Sequence, residues 1–174
     1  MPVKKIPIEQ YLAALRGPLK QCTLYFALDG PKVLLGRRKQ GSGQGKWVGI
    51  GGRVEAGEGI ETATVRECIE EVGLSPLALQ KVALLTFLFP YAADPQNWNQ
   101  EVHVYKSSTW SGQLQESDEI EPAWFATDQI PYPHMWPDAR HWLPAILSGK
   151  TLKGQFIYDR DLQIYQYQVH CGPL

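Results

Sequence analysis

The chain has 174 residues, 44% of them hydrophobic, enough for one well-filled core and too few for two full domains. Seventeen basic and eighteen acidic residues leave a formal net charge of −1, which argues against a chain whose main task is to coat a nucleic acid polymer or an anionic membrane. No uninterrupted apolar stretch approaches the ~20 residues that span a bilayer, and the start MPVKKIPIEQ lacks the apolar run of a signal peptide, so a soluble, cytoplasmic protein is expected.

In chain order, Ile8 to Leu15 reads as a short amphipathic helix, with Tyr11, Leu12 and Leu15 at helical spacing and Gly17-Pro18 to close it. Residues 1–20 are therefore expected to form an N-terminal helical appendage, and residues 21–174 the main domain. Cys22 to Leu28, the turn Asp29-Gly30-Pro31 and Val33-Leu34-Leu35 predict a hairpin. The following loop is basic at Arg37, Arg38 and Lys39, then glycine-rich at Gly41, Gly43 and Gly45, and ends on Lys46-Trp47. Such a loop can present backbone N–H groups beside cationic side chains. Gly59 to Val72 reads as a helix with Gly73 in the left-handed position that closes it.

Val82 to Phe89 and Glu101 to Lys106 are predicted strands, separated by a polar loop containing Asn97, Trp98 and Asn99. Trp124-Phe125 ends another strand, and Ile130 to Pro137, with its three prolines, is too broken for regular structure. A helix from Asp138 to Leu147 and a final hairpin within Phe156 to Val169, turning near Asp159 and Asp161, complete the chain. Strands, helix, strands, helix is the order of an α/β (α+β) chain with a mixed sheet between packed helices. Cys22, Cys68 and Cys171 form no CxxC pair, so buried free thiols are expected rather than a disulfide framework or a zinc site.

The chemistry concentrates on the Gly59 to Val72 helix. At about 100° per residue, Glu67, Glu70 and Glu71 fall at roughly 0°, 300° and 40°, on one face. Val65, Cys68, Ile69 and Val72 cluster between roughly 100° and 200°, which predicts an opposite, apolar docking face. Like charges at i,i+3 and i,i+4 repel, and the C-terminal end of a helix disfavours anions. Oxygen-rich clusters of this kind suit Mg²⁺ or Mn²⁺, although a Glu-rich helical face by itself is more often solvated surface.

The surrounding residues decide between these readings. Gly52, Glu58, Arg66, Glu67, Glu70, Glu71, Gly73 and Leu74 fall in register with the form GxxxxxE, seven residues, REUxEExGU, where U is apolar. Cys68 at a U position is the single soft departure. In this pattern the chain resembles the Nudix hydrolases. The resemblance implies a Nudix-type α/β/α sandwich and cleavage of a pyrophosphate bond in a nucleotide substrate. It implies Glu67, Glu70 and Glu71 as ligands of Mg²⁺ or Mn²⁺, the Gly52 carbonyl as a further ligand, and Glu58 paired with Arg66 to brace the loop.

The likeness continues through KVLLG, GKWVGIGGRVEAGE, ESDEIEPAWF, DQIP and MWPDARHWLP, and there it resembles the branch that hydrolyses oxidised purine nucleoside triphosphates such as 8-oxo-dGTP. By that resemblance Glu119 assists catalysis or binds a second metal ion, and Arg38, with Lys39, meets the phosphates. Trp136 stacks on the purine and Asp138 contacts the base. Read alone, Glu119 would be a surface acid and Trp136 a core tryptophan, as Trp142 is expected to be. Three positions depart from the branch. Val48 stands where an Asn reads the base edge, Ala139 where a second Asp contacts it, and Ser42 where a Phe lines the pocket. Base selectivity is thereby left open between 8-oxoguanine, another purine and a broader range of triphosphates. ADP-ribose, a dinucleoside polyphosphate, or nucleotide sensing without turnover are the alternatives.

Overall fold

The computed structural model describes residues 5–174, so the first four residues of the expected appendage lie outside the described residues. Helix α1 (Ile8–Ala14) leads into strand β1 (Lys20–Asp29), which turns back as β2 (Lys32–Arg38). Gly30, at φ +54°, makes this turn in a backbone region that suits glycine. Strand β3 (Trp47–Val48) precedes helix α2 (Ile60–Val72), followed by β4 (Leu74–Leu77) and β5 (Gln80–Leu88). A four-residue helix, α3 (Pro95–Trp98), connects to β6 (Gln100–Ser107), then β7 (Thr109–Gly112) and β8 (Ile120–Ala126). Beyond a 3-10 turn at Tyr132–His134 come helix α4 (Ala139–Leu147) and the hairpin β9 (Leu152–Tyr158) and β10 (Ile164–Cys171).

Among the described residues, eight strands share one sheet in the order β10-β9-β5-β6-β1-β2-β3, with β8 also paired to β2. It is mixed: β1 runs parallel to β6 and β5 parallel to β9, while the other neighbours are antiparallel. The two-residue period of the strands sorts side chains into two cores. Cys22, Phe26, Val33 and Leu35 join Trp142, Leu143 and Ile146 of α4 on one face. Tyr25, Ala27 and Leu34 join Cys68 and Val72 of α2 on the other. The predicted sandwich is the observed architecture. No helix among the described residues is long and apolar enough to cross a membrane.

Three expectations change. The docked face of α2 is Ala63, Thr64, Cys68, Glu71 and Val72, whereas Ile69 is 50% exposed. The acidic and apolar faces therefore overlap at Glu71, because the loop that α2 packs beside offers backbone N–H groups as well as hydrocarbon. Cys171 is exposed, at the end of the edge strand β10, while Cys22 and Cys68 are buried as expected. The small β4–β7 sheet was not anticipated, since Leu74-Ser-Pro-Leu lacks strand alternation and gains its pairing only from Thr109–Gly112.

Candidate active site

Gly49 to Val54 runs back along β1, and this arrangement builds the site. The Thr23 N–H donates to the Gly52 carbonyl at 2.8 Å, Tyr25 and Ile50 exchange backbone bonds at 2.6 and 3.0 Å, and Val54 N–H donates to Gln21 O at 2.9 Å. Glycine is required in this run. A Cβ at Gly51 would lie 2.0 Å from Thr23 O, and one at Gly52 would lie 2.6 Å from the Glu67 carboxylate carbon. The loop thus presses against both β1 and the acids of α2. Gly73, at φ +74°, ends the helix as predicted.

Arg66 organises the acids. Its Nε and Nη2 donate to the two oxygens of Glu58 at 2.7 and 2.9 Å, a bidentate pair, and Nη2 also donates to Arg53 O at 3.0 Å. Nη1 donates to Glu67 at 2.9 Å and to Glu70 at 3.2 Å. The guanidinium's hydrogen bonds, with the Glu55 N–H, hold Glu58 down at about 2. Glu67 moves the other way: burial raises it, Arg66 opposes the rise, and Glu70 and Glu119 add repulsion. Glu71 is 5% exposed, accepts from the Gly51 N–H at 3.3 Å, and is pushed up to about 8 by burial and then by the charge of Glu67.

The three acids of α2 do not converge on one point. Glu71 turns to Gly51, Glu67 is shared with Arg66, and Glu70 is exposed. Among the described residues no group of three or more His, Cys, Asp or Glu side chains is arranged to hold a metal ion. In the expected ligand set, Gly52 lies against the Glu67 carboxylate, Glu67, Glu71 and Glu119 are near enough to act on one another's charge, and Glu70 is bonded to Arg66. The chemistry of the set fits a hard divalent cation. Every donor is an oxygen, and Glu119 acts electrostatically on both Glu67 and Glu71 from its exposed position on the loop before β8. The Gly52 carbonyl, bonded to Thr23, retains a second lone pair.

A cavity of about 500 Å³ extends from Gly51, Gly52 and Arg53 to a wall of aromatic rings. Arg38 lines it, and its charge lowers Glu71 against the other influences. The Arg38 Nε is buried and has no hydrogen-bond partner among the described residues, so it can still donate to an anion. Lys39 is elsewhere. Its ammonium donates to Ser117 O at 2.7 Å and pairs with Glu116, while its backbone N–H donates to Glu119 O at 2.9 Å. It ties the Glu119 loop to β2 and does not line the cavity.

Trp136 lines the cavity half-buried, with the Lys46 ammonium 5.3 Å from its ring centroid. Gly43, at φ +76°, approaches so closely that a Cβ would lie 3.0 Å from Trp136 Nε1. Asp138 is 5% exposed, and its oxygens accept from Trp142 Nε1 at 2.7 Å and from the Tyr158 hydroxyl. Burial raises this carboxyl, with those two donors opposing the rise. Trp142 is core, 3% exposed, as expected. Val48, Ala139 and Ser42 all line the cavity. The sequence reading overlooked Thr23, Phe89, Trp98 and Tyr158, which also line it. Thr23 and Phe89 lie on predicted strands and could have been assigned to this face only once the two faces were distinguished.

The NUDIX domain family matches residues 21–146. The chain belongs to the Nudix family. It is a Nudix hydrolase, an enzyme that cleaves pyrophosphate bonds. It is 39% identical over 147 residues to the oxidized purine nucleoside triphosphate hydrolase of Mus musculus, covering 84% of this chain and 92% of that protein. The same enzyme of Danio rerio is 39% identical over 150 residues, covering 86% and 94%. The MutT protein of Bacillus halodurans shares the fold, with TM-score 0.75 and 23% identity over 87% of this chain and 97% of its own. A MutT NUDIX hydrolase of Burkholderia pseudomallei has TM-score 0.58 at 27% identity over 64% and 86%.

Proposed function

We propose that this Nudix hydrolase cleaves nucleoside triphosphates, with Mg²⁺ or Mn²⁺, to a nucleoside monophosphate and pyrophosphate, and that its substrate carries a purine base, 8-oxo-dGTP being one candidate. The observation that carries the reading is the single cavity joining Gly51, Gly52 and Arg38 at one end to Trp136 and its neighbouring rings at the other. Phosphates and base need such unlike surroundings within one molecule's length. The names of the Mus musculus and Danio rerio relatives support the substrate class.

In this reading Glu67, Glu70 and Glu71, with the Gly52 carbonyl and Glu119, would hold the divalent cation, which supplies charge neutralisation at the phosphoryl oxygens and activation of water. Arg38 directs its unpaired Nε to the phosphates. Glu71, buried beside Glu67 and bonded to the Gly51 N–H, is the acid whose repulsion with its neighbour the cation would offset most. The Glu58–Arg66 pair holds the acids in place, and Lys39 holds the Glu119 loop. Trp136 receives the base, and Asp138 supports that floor through Trp142 and Tyr158.

The test is a turnover panel of canonical and oxidised nucleoside triphosphates, ADP-ribose and a dinucleoside polyphosphate, each with Mg²⁺ and with Mn²⁺. Release of pyrophosphate from a purine triphosphate is expected. Turnover of ADP-ribose or the dinucleoside alone would replace this substrate, and nucleotide binding without any turnover would mark a sensing module.

A further inference from the structure

We propose that Trp98, carried by α3 and held there by the N-terminal segment, is a specificity-determining residue through which the enzyme selects nucleotides by the area of the base. The inference rests on the nucleotide reading above.

Val48 and Ala139 line the cavity without a polar side-chain atom, and both oxygens of Asp138 already accept from Tyr158 and Trp142. Thr23, Ser42, Asn97 and Gln100 supply polar side chains elsewhere in the lining. Aromatic area is abundant beside them. Trp136 meets Tyr158 edge-on at 6.3 Å, Tyr158 stacks on Phe89 at 4.8 Å and 14°, and Phe89 meets Trp98 edge-on at 5.2 Å. These four rings form a continuous wall, and all four line the cavity.

Trp98 closes that wall from a helix of only four residues, too short to hold a fixed direction by its own hydrogen bonds. The chain before β1, with the first residue of β1, supplies the hold. Asn99, 3% exposed, accepts from the Phe89 N–H at 2.7 Å and donates to the Tyr11 hydroxyl at 3.0 Å. Lys20 Nζ donates to Asn97 O at 2.6 Å, and Gln96 Nε2 donates to Arg16 O at 3.0 Å. Residues 11 to 20 thus grip α3 at three points, and Asn99 joins Tyr11 to the strand end that carries Phe89. A purine gains more from such a wall than a pyrimidine, because stacking scales with overlapping ring area.

The experiment compares the full-length parent with Trp98→Ala, Trp98→Phe and Tyr11→Phe. Steady-state turnover is measured on purine and pyrimidine triphosphates, and calorimetric binding on the corresponding nucleoside monophosphates. For Trp98→Ala we expect KM for purine substrates to rise about tenfold, with kcat within twofold and the purine-to-pyrimidine ratio of kcat/KM falling by a similar factor. Trp98→Phe should restore part of the ratio. Tyr11→Phe should shift KM in the same direction by about two- to threefold, the effect of one lost hydrogen bond. An unchanged purine-to-pyrimidine ratio in a Trp98→Ala protein with the parent's far-UV circular dichroism overturns the inference, and a ratio unchanged in Tyr11→Phe removes the N-terminal hold from it. If the parent turns over no triphosphate, the functional reading fails, while the monophosphate affinities of parent and Trp98→Ala still decide the role of Trp98. A parent that binds none of them overturns both.

Discussion

Glu71 faces two ways: it lies on the acidic face of α2 and is also one of the helix's buried residues. Replacing it by Gln keeps the shape and an oxygen to accept from the Gly51 N–H, so the fold should persist. Glu70→Gln acts at an exposed position and should be equally benign to folding. Each substitution is expected to lower turnover about a hundredfold or more, the scale of losing one well-placed electrostatic group at a reaction centre. Parent-like rates in both, with unchanged melting temperatures, would remove the acids of α2 from the mechanism. Asp138 gives the contrasting case. Asp138→Ala leaves Trp142 Nε1–H and the Tyr158 hydroxyl buried without their acceptor, and should cost about 2–4 kcal/mol in denaturant unfolding. A loss below the error of that measurement would show that these donors find other partners.

At the scale of elements, the Glu58–Arg66 pair joins the loop before α2 to the helix itself. Glu58 is lowered from an ordinary 4.5 to about 2, first by the hydrogen bonds of Arg66 and then by the Glu55 N–H. A carboxyl depressed in the folded state stabilises it fully above its unfolded value, and the contribution disappears as pH falls toward the folded value. The melting temperature of the parent should therefore drop between pH 4.5 and 2 more steeply than that of Glu58→Gln, with the two curves converging at the acid end. Parallel curves through that window would show that the pair contributes nothing to stability. Gly52 and Gly73 were legible as fixed positions of the motif, and the structure gives each its reason in a close approach or a positive φ, as it does for Gly51, which the sequence did not single out. The β4–β7 sheet was not legible, because neither strand carries an alternating pattern and each exists only by pairing with the other.

For the whole molecule, α1 is tied to the sheet it precedes. Ile8 is fully buried against Leu88 and Ile157, its N–H donates to Gln166 Oε1 at 3.0 Å, and Tyr165 donates to Ile6 O at 2.9 Å. Ile8→Ala should lower unfolding free energy by about 2–5 kcal/mol, the cost of a large-to-small change in a closed site. A loss no larger than that of an exposed substitution would show that α1 contributes little to the fold. The sequence by itself determined the reaction class, because the spacing of Glu58, Arg66, Glu67, Glu70 and Glu71 is local and one helix and its preceding loop are enough to set it. It also determined most strands, since their alternation encodes which side chains face hydrocarbon. Only the tertiary structure decided what surrounds the substrate. Phe89, Trp98, Trp136 and Tyr158 are scattered over 70 positions of the chain and meet only when the end of β5, α3, the segment before α4 and β9 pack together. Lys39, next to Arg38 in sequence, lies just past the end of β2 and is turned away from the cavity by its bonds to Ser117 and Glu116.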